Sequence, residues 1–172
     1  MTFSCCIESL VGPLTVVSDE SAVTAIRFGG DASDVTDLVS SDGSDRFLSG
    51  QPEVLRQAVC ELREFFTGKR HVFTVPVALE GTPFQQEVWK ALQAIPYGET
   101  RSYRDIACAV GRTAAFRAVG MANHCNPVPI IIPCHRVVGA DGRLTGYAGG
   151  LEIKSRLLRL EQENSGGLFF SA

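Results

Sequence analysis

The sequence predicts two small domains in series: an α/β unit over residues 1–81, then a mainly α unit over 82–163 built around a helix-turn-helix, with a tail at 164–172. Three observations predict this. A chain of 172 residues has room for one or two domains and buries enough surface to need no staples. Its formal charge of −3 conceals a division: residues 1–81 carry six Lys and Arg against twelve Asp and Glu, whereas 82–160 carry ten against five. An acidic half joined to a basic one suggests that any contact with a polyanion belongs to the second half, while chance clustering of solvated charges explains the division equally well. The pattern also changes at Thr82, from short apolar runs separated by turn residues to runs that open on helix-start signals.

In the first half, Cys5–Leu10 and Leu14–Ser18 read as strands joined at Gly12-Pro13, and Val23–Phe28 reads as a third strand that stops at Gly29-Gly30. Residues 31–50, rich in Ser, Asp and Gly, read as a surface loop. Gln51-Pro52 opens a helix whose stripe of Val54, Leu55, Ala58, Val59, Leu62, Phe65 and Phe66 ends before Gly68. No catalytic constellation falls in this half.

The second half opens with a hydroxyl N-cap at Thr82, Pro83 at N1 and Gln85 at N3, and this helix ends by Pro96 and Gly98. Ser102 and Asp105 repeat the capping spacing for a helix running to Gly111, and Thr113 reads as the cap of a short helix from Ala114 to about Ala122. Such a pair offers its second helix, here bearing Arg117, to a DNA groove. Many helix pairs joined at a glycine bind nothing, so spacing alone leaves both readings standing. A last helix is expected from Leu151 to about Glu163. Its apolar stripe is Ile153, Leu157 and Leu160, with Glu161 on or beside it.

Composition excludes other classes. Hydrophobic residues are 45% and charged residues 20%, unlike a disordered, collagenous or coiled-coil chain. No apolar run approaches the roughly 20 residues of a membrane span. The N-terminus has no Lys or Arg before Arg27 and makes a poor signal peptide, so a cytoplasmic protein with no membrane partner is expected. Six cysteines without a secretory signal read as reduced thiols. With no C-x-x-C pair and no zinc-finger spacing among His71, His124 and His135, no metal is expected.

The densest chemistry lies between Asn126 and Val138. Pro127, Pro129 and Pro133 restrict their neighbours and predict a stiff, extended approach that delivers Cys134 to a fixed place. With His135 and Arg136 adjacent, that cysteine reads as a thiol biased toward thiolate. The alternative is a buried cysteine beside a core histidine. Three features weigh against it, and the first is the proline-stiffened approach itself, costly to build merely to bury a small thiol. Gly139, Gly142, Gly146, Gly149 and Gly150 suggest a loop passing close to a ligand. A core-facing Glu161 would need a partner such as a histidine, although a frayed helix end would instead turn it to solvent.

Ile132-Pro133-Cys134-His135-Arg136-Val137 resembles the active-site signature of the O6-alkylguanine-DNA alkyltransferase (methylated-DNA–protein-cysteine methyltransferase) family. The likeness continues through Gly98–Tyr103, Arg117–Gly120, Asn126–Pro129 and Gly146–Leu151, covers residues 82–161 in order, and extends more weakly to Gly12-Pro13-Leu14. It implies a ribonuclease-H-like N-terminal domain and a winged-helix-like C-terminal one. It implies direct repair: an O6-alkylguanine, and likewise an O4-alkylthymine, is flipped from duplex DNA and its alkyl group moves irreversibly to Cys134, once per molecule, with no cofactor.

Residue by residue, the resemblance makes Cys134 the nucleophile, His135 its base through a water, and Glu161 the orienter of that imidazole. Asn126 ties the active-site turn. Tyr103 donates to the purine N3. The backbone at Cys134 and Val137 accepts from the exocyclic amine, while Tyr147 and the amide of Ala148 line the pocket near O6. Arg117 fills the space left by the base. Ala114, Ala115, Ala118 and Ala122 allow close approach to the minor groove, and Arg104 and Arg112 meet phosphates. The resemblance also implies a monomer off DNA and leaves cooperative assembly on DNA open. Two departures stand out: Asn123 replaces a larger apolar residue found in some relatives, and the histidines of an N-terminal zinc site have no counterpart here. A non-catalytic damage binder is the first alternative, and Cys134 itself argues against it. A thiol hydrolase is the second, distinguished by many turnovers.

Overall fold

The computed structural model describes residues 1–30 and 50–166. The loop expected over 31–50 lies, apart from Gly50, outside the described residues. The chain divides into two compact units, one of Met1–Leu79 with Pro127–Pro129, the other of Glu80–Asn126 with the residues from Ile130 on.

The first unit is an antiparallel three-stranded sheet in the order β1 (Phe3–Ile7), β2 (Leu14–Ser18), β3 (Val23–Phe28), with helix α1 (Glu53–Phe66) packed on it. Phe3 pairs with Ser18 and Ile7 with Leu14; Leu14 in turn faces Phe28. β1 begins and ends earlier than the apolar run suggests. Ser9 Oγ accepts from the Val11 N–H at 3.2 Å and donates to Gly12 O at 2.6 Å, folding 8–12 into a turn that leaves Leu10 half exposed. Beyond the sheet, the Ile26 N–H donates to Pro127 O at 2.9 Å, and Val23 pairs with Val77 in parallel.

The core face of α1 carries one carboxylate, Glu61. It accepts from the Thr74 N–H (2.8 Å), the Val75 N–H (3.1 Å) and Gln57 Nε2 (2.9 Å). Burial works against its charge, yet these hydrogen bonds prevail and hold its pKa below the ordinary value.

The second unit is helical. α2 (Pro83–Gln93) has the full Thr82–Gln85 capping box, and the buried Trp89 donates its indole N–H to Ala122 O at 2.9 Å, pinning α2 to α4. α3 (Tyr103–Ala109) opens on the Ser102–Asp105 box: the Asp105 N–H donates to Ser102 Oγ at 3.1 Å and the Ser102 N–H to Asp105 Oδ2 at 2.7 Å. α4 (Phe116–His124) starts later than expected, with Ala115 as its N-cap and no side-chain cap. The Ala115 N–H donates to Arg112 O at 2.9 Å, so a turn occupies the place of the first helical turn. Thr113 does not cap it, and Ala114 lies in the connection.

Three further features carry no periodic signal. β4 (Arg101–Ser102) and β5 (Val137–Val138) form a two-residue parallel ladder. Cys134–Arg136 is a single 3-10 turn. Nor is the approach to it extended. Ile130, fully buried, sits at φ 76° and reverses the chain, and Asn126 Nδ2 donates across the bend to Ile132 O at 2.9 Å. α5 (Leu151–Asn164) closes the unit. Among the described residues no helix is long and apolar enough to cross a membrane.

Candidate active site

The 3-10 turn places Cys134 and His135 on opposite duties. Cys134, 5% exposed, lines a cavity of about 350 Å³ together with Tyr103 from α3, Asn123 from α4, and Thr145, Tyr147 and Ala148 from the glycine-rich loop. Cavities of this size hold small molecules. His135 and Arg136 turn the other way, to Glu161 on α5.

Glu161 is fully buried. Its Oε1 accepts from His135 Nε2 at 2.6 Å and Arg136 Nη2 at 2.9 Å; its Oε2 accepts from Arg136 Nε at 2.9 Å and the Gly98 N–H at 3.1 Å. Gly98 sits at φ +80°, and a Cβ there would stand 2.6 Å from Ser165 Cβ, so only glycine lets the backbone reach the carboxylate. Arg136 Nη1 also donates to Ile95 O at 2.7 Å. Burial opposes ionisation of Glu161, but His135 and Arg136 outweigh it and hold its pKa at about 2.

Burial lowers the pKa of His135 despite that carboxylate, so the ring is neutral. With Glu161 ionised, Nε2 carries the proton and Nδ1 the lone pair, and Nδ1 is buried with no hydrogen-bond partner among the described residues.

The cysteine departs from expectation. Burial pushes its thiol up to about 11, against opposing contributions from an Asn126 hydrogen bond and the Lys154 charge. Burial overrides the expected thiolate bias, and Arg136, its supposed cation, is engaged by Glu161 and Ile95 O. The resting group is a thiol. Tyr147, in contact with Cys134, is held protonated, chiefly by burial.

Other expected residues distribute as follows. Asn126 bridges the turn before Cys134. Arg117 is exposed on α4 with no ion-pair partner among the described residues. Arg104 and Arg112 are exposed, their guanidinium groups over the rings of Phe116 (5.5 Å) and Phe84 (5.2 Å). Ala114 and Ala118 are exposed. Ala122 is 1% exposed beneath Trp89, so its side chain is withdrawn from any groove-facing set. Val137 is fully buried in β5, outside the cavity lining.

Sequence reasoning missed Lys154, 1% exposed, whose Nζ donates to Thr145 O at 2.8 Å and lies 6.0 Å from the Tyr103 ring centroid. Its spacing to Leu157 and Glu161 was the available signal. Burial lowers its pKa, while the Cys134 charge would raise it. Arg136 as the partner of Glu161, and Thr145 in the cavity wall, were also missed. Among the described residues no group of three His, Cys, Asp or Glu side chains is placed to hold a metal.

Residues 83–163 match the family model described as the 6-O-methylguanine DNA methyltransferase DNA binding domain, and residues 5–79 match its ribonuclease-like domain. A methylated-DNA–protein-cysteine methyltransferase of Methanosarcina barkeri is 45% identical over 158 residues, covering 92% of this chain and 96% of that protein. The constitutive methylated-DNA–protein-cysteine methyltransferase of Bacillus subtilis is 56% identical over 109 residues, 63% of this chain and 66% of that one. The crystal structure of Mycobacterium tuberculosis OGT in complex with DNA superposes with a TM-score of 0.77 at 44% identity, covering 94% of this chain and 93% of that one.

Proposed function

The chain belongs to the 6-O-methylguanine DNA methyltransferase family, and from that premise we propose that it repairs DNA directly, taking the alkyl group of O6-alkylguanine, and of O4-alkylthymine, onto Cys134. The observation that carries the reading is a buried thiol in the wall of a base-sized cavity, beside a neutral histidine held by a buried carboxylate.

The steps follow from those groups. The α3–α4 pair docks in the minor groove, with Arg104 and Arg112 on phosphates and the exposed Ala114 and Ala118 allowing close approach. The damaged base leaves the stack, which costs a few kcal/mol, and Arg117 fills the gap. The Cys134 proton passes through a water to Nδ1 of His135, and Glu161 balances the imidazolium that results. The Cys134 Sγ–C bond forms as the O6–C bond breaks. The departing electron pair spreads over the purine, where a proton from Tyr103 at N3 relieves the charge. The backbone carbonyl of Cys134 holds the exocyclic amine, and Tyr147 and the Ala148 amide face O6. The product thioether offers no good leaving group, so each molecule, monomeric before it meets DNA, reacts once.

Incubation with an O6-methylguanine duplex and peptide mass spectrometry tests this. One methyl per chain on the Cys134 peptide, absent in Cys134→Ser, is expected; repeated turnover with unlabelled protein would falsify it.

A further inference from the structure

We propose that Thr145 is a positioning residue for the transfer step: its hydroxyl, by donating to Tyr103 Oη at 3.0 Å, aims the phenolic proton of Tyr103 at the leaving purine. The inference rests on the role proposed above for Tyr103 and adds the residue that directs it.

A phenol oxygen has one proton and two acceptor lone pairs. With the Thr145 hydroxyl proton on one lone pair, the Tyr103 proton is turned away from Thr145 and is free for an acceptor in the cavity that both residues line. A hydroxyl that accepts a hydrogen bond is also a stronger donor, so the chain from Thr145 through Tyr103 to the purine is cooperative.

Thr145 sits in a glycine-rich loop, but its position is fixed from behind. Its carbonyl accepts from Lys154 Nζ at 2.8 Å, and the same buried ammonium faces the Tyr103 ring at 6.0 Å. Three elements thus close on one another: α3 through Tyr103, the loop through Thr145, and α5 through Lys154. The Thr145–Tyr103 bond is exposed in the free chain and adds little to stability there. It gains weight once a base excludes water, and so acts on the transition state rather than on the fold.

Single-turnover rates are measured on duplexes carrying O6-methylguanine or its 3-deaza analogue, in which a C–H replaces N3, for the unaltered protein, Tyr103→Phe, Thr145→Val and Thr145→Ser. The unaltered protein is expected to be about 10-fold slower on the 3-deaza duplex, the weight of one hydrogen bond at a developing charge. Thr145→Val slows the O6-methylguanine reaction several-fold, Thr145→Ser restores it, and neither changes the 3-deaza rate. Adding Thr145→Val to Tyr103→Phe costs nothing further. Indifference of the unaltered protein to loss of N3 overturns the Tyr103 reading itself. A protein sensitive to N3, in which Thr145→Val slows both duplexes alike or neither, retains that reading and overturns the role of Thr145.

Discussion

Glu161 and Cys134 set opposite limits on the pH range in which the second unit is stable. The carboxyl of Glu161 is held at about 2 against an ordinary 4.5, so its contribution is complete above 4.5 and is lost as pH falls toward 2. His135, lowered by burial from 6.5, adds to the same trend: the unfolded chain binds its proton first, and stability declines as pH drops below 6.5. Cys134, raised from 9.0 to about 11, works the other way, favouring the folded state below 9 and withdrawing that support as pH rises through 11. Thermal unfolding is therefore expected to show a plateau between about pH 7 and 8.5, falling on both sides. Cys134→Ser should make the alkaline limb shallower and leave the acid limb unchanged, the rest of the alkaline fall belonging to Tyr147, which burial likewise holds protonated; an unchanged limb would mean that the buried thiol does not contribute to it. Glu161→Gln has a further consequence, because it leaves the Arg136 guanidinium buried without its counter-charge. A loss of about 3–5 kcal/mol is expected by denaturant titration, and a loss below 1 kcal/mol would indicate that water reaches Arg136.

At the scale of the element, helix α3 ties local sequence to chemistry, since its first residue is Tyr103 and its cap is Ser102. Ser102→Ala removes the acceptor for the Asp105 N–H and should cost about 1 kcal/mol. The first turn of α3 then frays, so alkyl transfer should slow more than DNA binding weakens; equal loss of both would place the effect elsewhere. This helix start was legible because a capping box is local, as was the one at Thr82 and as were β2 and β3, bounded by Gly12-Pro13 and Gly29-Gly30. What escaped has a common cause. Ala115, rather than Thr113, begins α4 because a turn competes with the first helical turn, and propensity does not separate the two. Periodicity is silent about a β-branched residue at positive φ, so the reversal at Ile130 was read as extended chain. β4 and β5 are too short to alternate. Glu161 was visible as a polar residue on an apolar stripe, but its pairing with Arg136, and the bond of Lys154 to Thr145 O, escaped because the partners come from distant parts of the chain.

For the whole molecule, the structure sharpens the charge division found in the sequence. Of the ten Lys and Arg in residues 82–160, Arg136 and Lys154 are buried in the site, while Arg101, Arg143 and Arg156 pair with Glu99, Asp141 and Glu152. Lys90, Arg104, Arg112, Arg117 and Arg159 remain exposed without ion-pair partners among the described residues. Arg104 and Arg112 lie on α3 and its connection to α4, so in the docking proposed above these two are the cations that meet phosphates, with Arg117 committed to the space left by the base. Each phosphate neutralised releases counterions and contributes about −0.9 to the slope of log affinity against log salt, so the two contacts set an expected slope of about −2 for undamaged duplex. Arg104→Ala and Arg112→Ala should each make the slope shallower by about 0.9 while leaving the reaction with a free alkylated base unchanged. Fluorescence anisotropy across a salt series reads the slope. Lys90→Ala and Arg159→Ala serve as controls, and a loss of slope in them equal to that in Arg104→Ala would move the DNA-binding face away from the helix pair.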